Sequence, residues 1–196
     1  MRGVNVRRRH LSRFSLVVAA STLICACVDP VLRGTAVDPA KPLPALQLTT
    51  SSGSPLSLAA GKPTLVFFGY TKCPDVCPTT LADWSRIRQR LGNRASDVQF
   101  VFVSVDPERD TPAIAQKYAS GFDSAIIGIS PDSATSASLQ QALGASSFRD
   151  GTTADGGYNV AHSAQTFLID GRGNLVAFYS FGSGWDAMLH DVETLL

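Results

Sequence analysis

The sequence predicts an α/β fold: a central mixed sheet flanked by helices, with an N-terminal hairpin. Three observations predict it. Residues 64–70 (TLVFFGY), a short unbroken apolar run, and residues 98–105 (VQFVFVSV) read as strands buried on both faces. Between them, Leu81, Trp84, Ile87 and Leu91 recur at helical spacing. Further on, residues 164–169 and 174–181 flank Asp-Gly-Arg-Gly and read as an antiparallel hairpin. The chain has 196 residues, 44% of them hydrophobic, which suffices for one domain with its own core. Four cysteines are too few for a disulfide-stapled scaffold.

Residues 1–26 read as a targeting segment. Arg2, Arg7, Arg8, Arg9 and Arg13 make a basic start without an acidic residue. The apolar run that follows, residues 14–26 (FSLVVAASTLICA), is shorter than the roughly twenty residues of a spanning helix. Basic start and short apolar core together read as a secretory signal. Its end, LICAC, resembles a bacterial lipoprotein signal, in which a small residue precedes the cysteine that becomes lipid-modified. Cys27 fits, with Ala26 before it, whereas Cys25 follows the bulky Ile24. The alternative is an ordinary cleaved signal or an uncleaved anchor. The arginines are loosely similar to a twin-arginine signal, a match that Ser12 weakens. Removing these five arginines from the 17 basic residues leaves 12 against 16 acidic, a net charge of −4. A mildly acidic domain lacks the electrostatic footprint of a nucleic-acid binder.

Residues 27–45 are rich in Pro, Ala and Asp without periodicity and are expected to form a tether. Residues 46–196 are the domain. Residues 46–49 and 55–58 flank a Ser/Gly turn and predict the N-terminal hairpin. A helix over 79–91 is closed by Gly92. Asp106-Pro107 ends the second strand. A helix over 112–122 starts with Pro112, capped by Asp110 or Thr111. Residues 125–129 form a third apolar run, 133–143 a helix, 144–161 a Gly/Asp/Thr-rich loop with room for a short hairpin, and 185–196 a final helix. With two cysteines at the end of the first buried strand, this order is the thioredoxin-like arrangement.

Those two cysteines lie in GYTKCPDVCPTTL, residues 69–81. Export to an oxidising compartment permits a disulfide. Four-residue spacing on a helical turn brings Cα atoms to about 6 Å, within disulfide range. Pro78 is expected at the first helical position, which makes Cys77 the cap residue, facing unpaired N–H groups that favour its thiolate. The three-residue gap, Pro74-Asp75-Val76, is wider than the usual redox pair and lets two thiolates converge on one ion. Thiolates are soft ligands that favour Cu(I) and Zn, and a third ligand is then required. His10 leaves with the signal, and His190 reads as a surface residue of the last helix. His162, in YNVAHSAQTF, sits in a loop at the same sheet edge as the cysteines and is the candidate.

At this point the residues resemble the Sco/SenC family, copper-binding proteins of cytochrome c oxidase assembly. The resemblance rests on FFGYTKCPDVCPTTL (67–81), FVSVDPERDTP (102–112), YNVAHS (158–163) and TFLIDGRGNLV (166–176), and it covers nearly all of the domain. It implies a thioredoxin-like fold binding one copper ion, as Cu(I) or Cu(II), through Cys73, Cys77 and His162. It also implies a redox disulfide between Cys73 and Cys77, and a bacterial protein anchored by lipid on Cys27, facing the periplasm. The inner membrane is inferred only from where such oxidases sit. The implied partners are the copper-bearing subunit of the oxidase and other periplasmic copper carriers. Delivery of copper, reduction of the target's cysteines, or both fit the family. Turn formation and capping account for Asp106 and Asp110, and packing for Tyr158. The alternative for all three is support of the metal site or a partner surface beside it.

Three rival readings remain. A thiol-disulfide oxidoreductase without metal needs only the two cysteines, but the gap is wide and no proline lies between residues 158 and 168 to line a substrate groove. A peroxidase is suggested by Val76-Cys77-Pro78-Thr79, yet Pro74 stands where that family wants threonine. A copper or redox sensor is the third.

Overall fold

The structure, a computed structural model, describes residues 31–153 and 156–196, together with Gly3. Apart from Gly3, the targeting segment lies outside the described residues, as does Cys27. Ten strands are present among the described residues: β1 (Thr35–Pro42), β2 (Leu48–Thr49), β3 (Pro55–Leu56), β4 (Thr64–Gly69), β5 (Gln99–Ser104), β6 (Ile127–Ile129), β7 (Ser147–Thr152), β8 (Tyr158–His162), β9 (Thr166–Ile169) and β10 (Asn174–Tyr179). Four α-helices accompany them, α1 (Val76–Leu91), α2 (Pro112–Ser120), α3 (Ser133–Leu143) and α4 (Trp185–Leu195), with a 3-10 helix over Gly92–Asp97. Six strands form one sheet in the order β1-β10-β9-β4-β5-β6. β4, β5 and β6 run parallel, β9 lies antiparallel beside β4, and β10 lies antiparallel beside β9. The expected mixed sheet and thioredoxin-like layering are therefore present.

Successive side chains of a strand point to opposite faces, so two cores result. Leu65, Phe67, Phe100, Phe102, Leu168 and Tyr179 face α1, α2 and α4. Val66, Phe68, Val101, Val103, Phe167 and Ile169 face α3 and the β2–β3 hairpin. Every residue of β4 and β5 is buried, as their apolar sequences require. α1 offers Cys77, Leu81, Trp84, Ile87 and Leu91 to the first core at helical spacing, so the same stripe that packs the helix also buries a cysteine.

Three elements differ from expectation. The tether contains β1, an edge strand on β10. Its sequence lacks periodicity because both faces are mostly exposed, and an edge position tolerates Pro39 and Pro42. α1 begins at Val76, three residues early, with Asp75 as cap and Pro78 third in the helix. Proline costs nothing there, because the first N–H groups of a helix have no intrahelical acceptor; the first to bond is Thr79, to the Asp75 carbonyl at 3.2 Å. Finally, the short hairpin for which the 144–161 loop has room is β7–β8, a separate two-stranded sheet, and it runs on to place His162 at the end of a strand rather than in a loop.

A buried carboxylate joins the N-terminal segment to the last helix. Asp191 accepts the N–H groups of Arg33 (2.8 and 3.0 Å) and Gly34 (2.8 Å) and the Tyr179 hydroxyl (2.8 Å). His190 Nδ1 lies 2.8 Å from the other oxygen. Gly34 is required by close approach, since a Cβ there would stand 2.6 Å from the Tyr179 ring. Burial opposes ionisation of Asp191, but bonds from Arg33, His190, Gly34 and Tyr179 outweigh it and hold the carboxyl below its usual range. A depressed carboxylate stabilises the fold above its unfolded pKa of about 3.9, and this contribution is lost only as pH falls through the lower folded value. Asp191→Ala is therefore expected to lower unfolding free energy by about 3–5 kcal/mol, by leaving buried donors unpaired. Denaturant titration of the wild type should show no loss attributable to this group between pH 7 and 5; a wild-type-like midpoint for the variant would refute the anchoring role.

Candidate metal centre

The sheet ends at one rim where β4 stops, β9 starts and the β7–β8 hairpin returns. β4 passes through Gly69 into the cysteine loop, and Tyr70 accepts the N–H of Cys73 at 3.1 Å to close a turn. Gly69 is compelled by packing, since a Cβ there would lie 2.6 Å from Cys77 Sγ and 2.9 Å from the Phe102 ring. Cys77 is fully buried, whereas Cys73 and His162 are half-exposed. His162 Nε2 stands 3.8 Å from Cys73 Sγ and 3.6 Å from Cys77 Sγ, and all three donor atoms fall within 4.8 Å of one another. The two cysteines are not joined by a disulfide.

These separations suit a single ion. Three donors bonded at about 2.0–2.3 Å around a trigonal or tetrahedral centre stand about 3.5–4 Å apart. The imidazole is already turned for the task. Its Nδ1 lies 3.2 Å from the Ser163 carbonyl, which leaves Nε2 as the nitrogen turned toward the sulfurs. Phe67 and Tyr70 hold the ring edge-on, with centroids 5.8 Å away in each case.

The two thiols are unequal, and not in the expected sense. Cys77 was expected to be the thiolate at the helix cap. Instead the Cys73 sulfur receives the favourable donors. A hydrogen bond from the Cys77 thiol pushes Cys73 down to about 4, and His162 and the N–H groups of Cys77 and Asp75 assist against burial. Cys77 is pushed up, first by holding that shared proton and then by burial. Because α1 starts at Val76, its free N–H groups reach back to the preceding loop rather than to its own second residue.

The loop between β5 and α2, residues 105–111, holds both ligand-bearing segments. Asp110 is almost fully buried and accepts the Thr71 N–H at 2.8 Å, the Thr71 hydroxyl at 2.5 Å and the Ser104 hydroxyl at 2.6 Å. It is therefore not the helix cap; Thr111 is, through a 3.3 Å bond from the Ile114 N–H. Asp106 closes its turn by accepting the N–H groups of Arg109 and Asp110 through its carbonyl. Its carboxylate accepts the Tyr158 hydroxyl at 2.7 Å and the Arg109 Nε. Tyr158 is thus more than packing. Sequence reasoning missed Arg109, although it stands between the two acids it named. It also missed Thr71 and Tyr70, which flank the cysteine motif without a chemical signature of their own.

Comparison with known proteins agrees with this geometry. A SCO2-like protein of Rickettsia felis is 32% identical over 124 residues, 63% of this chain and 60% of that one. The structure of Bradyrhizobium japonicum ScoI with copper bound is 37% identical, with a TM-score of 0.71 over 79% of this chain and 99% of that one. Apo Sco1 from Thermus thermophilus is 36% identical, with a TM-score of 0.75 over 85% and 98%. The matches span 66%, 60% and 63% of the first three curated relatives, just under two thirds of their lengths. Residues 40–196 match the SCO1/SenC family model, and with the cysteine loop, the 105–111 loop and the His162 hairpin all inside that stretch, the chain belongs to the SCO1/SenC family.

Proposed function

We propose that this chain is a copper metallochaperone for assembly of the binuclear copper centre of cytochrome c oxidase, with thiol redox chemistry coupled to metal binding. One observation carries the reading: Cys73 Sγ, Cys77 Sγ and His162 Nε2 converge at one point with ion-sized separations. Two thiolates suit Cu(I), and the imidazole makes Cu(II) tolerable. Cys73 is already ionised at neutral pH, so the thiol proton that binding has to displace is the one on Cys77. The half-exposed side of the site lets an incoming thiol of the oxidase's copper-bearing subunit replace Cys73 first, with Cys77 and His162 holding the ion meanwhile. Other periplasmic copper carriers are the proposed donors. Lipid on Cys27 would keep the domain at the envelope membrane, on its periplasmic side. Among the described residues, no helix is long and apolar enough to cross a membrane.

The ionised Cys73 favours a second, compatible activity. Its thiolate can attack a target disulfide, forming a mixed disulfide and releasing one target thiolate. Cys77, giving up its proton, then attacks the Cys73 sulfur, closing the Cys73–Cys77 disulfide and releasing the second target thiol. The target gains two electrons and the cysteine pair loses two. A peroxidase reading is disfavoured, because the cysteine of its motif is Cys77, buried and held protonated.

The reduced protein is expected to bind one copper ion per chain and the oxidised protein none, by metal analysis after desalting. His162→Ala should weaken Cu(II) by more than about 100-fold, beyond the range typical of outer-sphere partners; unchanged Cu(II) affinity and spectrum would sink the proposal. In the metal-free reduced protein, alkylation should strike Cys73 before Cys77 at pH 6. The rate should stay nearly flat from pH 8 down to about 5, where an ordinary thiol with a pKa of about 8.5 slows tenfold per pH unit. Mass mapping of the label checks this, and equal labelling of both cysteines counts against the assigned asymmetry.

A further inference from the structure

The β7–β8 hairpin that carries His162 has little core of its own. Along β8 only Val160 is buried, and β7 is almost wholly exposed. Beside the Tyr158 hydroxyl on Asp106 and the Arg149–Glu108 pair, one guanidinium ties it to the body at several points. Arg109 donates from Nη1 to the Tyr158 carbonyl at 2.8 Å and from Nε to Asp106. Its Cζ lies 3.7 Å from the centre of the Tyr158 ring and 5.6 Å from that of Tyr70. Tyr158 opens the strand that ends in His162. Tyr70 packs edge-on against the His162 ring. Arg109 thus reaches the imidazole along two paths, through the strand and through the neighbouring ring. Arg149, on β7, covers Tyr158 at 4.2 Å and pairs with Glu108 of the same loop.

The cysteine loop is tied elsewhere, through Asp110 to Thr71. We propose that Arg109 is a positioning residue chiefly for the His162 arm, and that it thereby sets how strongly the site holds Cu(II) relative to Cu(I). This rests on the copper-binding reading above. The chemistry makes the two oxidation states separable: two sulfurs dominate the hold on Cu(I), whereas Cu(II) leans on the nitrogen. A guanidinium that bonds and stacks at once is not replaced by an ammonium, which offers a point charge without the planar fork.

Arg109→Gln and Arg109→Lys are each compared with the wild type. The expected result is a Cu(II) affinity lower by about 10- to 100-fold, the range for outer-sphere partners, with an altered Cu(II) spectrum and a much smaller change in Cu(I) affinity measured by competition with a chelator. Equal losses for both ions, or no loss for either, overturn the proposal. Tyr158→Phe, which removes a single hydroxyl, should shift the same ratio in the same direction and serves if the arginine variants do not fold. Amide exchange in the metal-free protein gives a readout independent of copper. Val160 and Ala161 should exchange faster in Arg109→Gln while the amides of α1 do not, and unchanged exchange refutes the positioning role. A wild type that binds no copper, with exchange altered as described, would instead be a failure of the metallochaperone reading.

Discussion

The site depends on one buried constraint, the hydrogen-bonded turn of residues 105–111. Surface loops are ordinarily the mobile part of a domain. Here two such segments, the cysteine loop and the β7–β8 hairpin, must hold three donor atoms within a few ångströms. Asp110 supplies the first half. A carboxylate removed from water is costly unless its oxygens are satisfied, and Thr71 and Ser104 satisfy them with three donors. The chain two residues before Cys73 is therefore fixed by the need to solvate that carboxylate. Asp106 and Arg109 supply the second half through Tyr158. Because the turn follows directly from β5, a fully buried strand, both grips refer to the rigid core rather than to each other.

Much of this was legible in residue order, for identifiable reasons. Buried strands such as 64–70 and 98–105 announce themselves, because a strand covered on both faces is apolar through its middle, with Thr64, Gln99 and Ser104 only at the ends. The three donors were legible because soft sulfur and imidazole are scarce in this chain, and the expected fold brings their segments to one edge. β1 was not legible, since an edge strand exposed on both sides imposes no pattern on its residues. Nor was the start of α1: proline is tolerated anywhere in a first helical turn, so Pro78 marks a window of positions rather than one. That small error reversed the roles of the thiols. Arg109 illustrates a different limit. Its importance lies in what it bridges, and bridging is a property of three-dimensional neighbours.

The inequality of Cys73 and Cys77 follows from packing more than from the motif. Cys77 belongs to the stripe of α1 that faces Phe67 and Phe102, so its sulfur is core before it is a ligand. Gly69 leaves the room that this sulfur occupies. Cys73 lies outside the stripe, where helix N–H groups and the His162 ring converge on it. One sulfur is thus held by the fold and the other is free to react. The proposed transfer would use that division, since the outer thiolate could be exchanged while the inner one kept its hold.

The strand register adds a consequence for how the domain meets its surroundings. Thr35 pairs with Phe178, Tyr179 with Thr166, and Thr166 with Phe67, so β1 begins at the same end of the sheet where β4 delivers the cysteines. Asp191 locks Arg33 and Gly34 at that end. β1 and β4 are separated by two intervening strands, about 14 Å of sheet. Cys27 precedes Arg33 by six residues, a span of about 20 Å at full extension. A lipid on Cys27 would therefore hold the metal rim, rather than the opposite end of the domain, toward the membrane surface. The segment first read as a loose tether is joined to the domain through one edge strand and one buried carboxylate, and with the proposed lipid anchor it would set the orientation of the site.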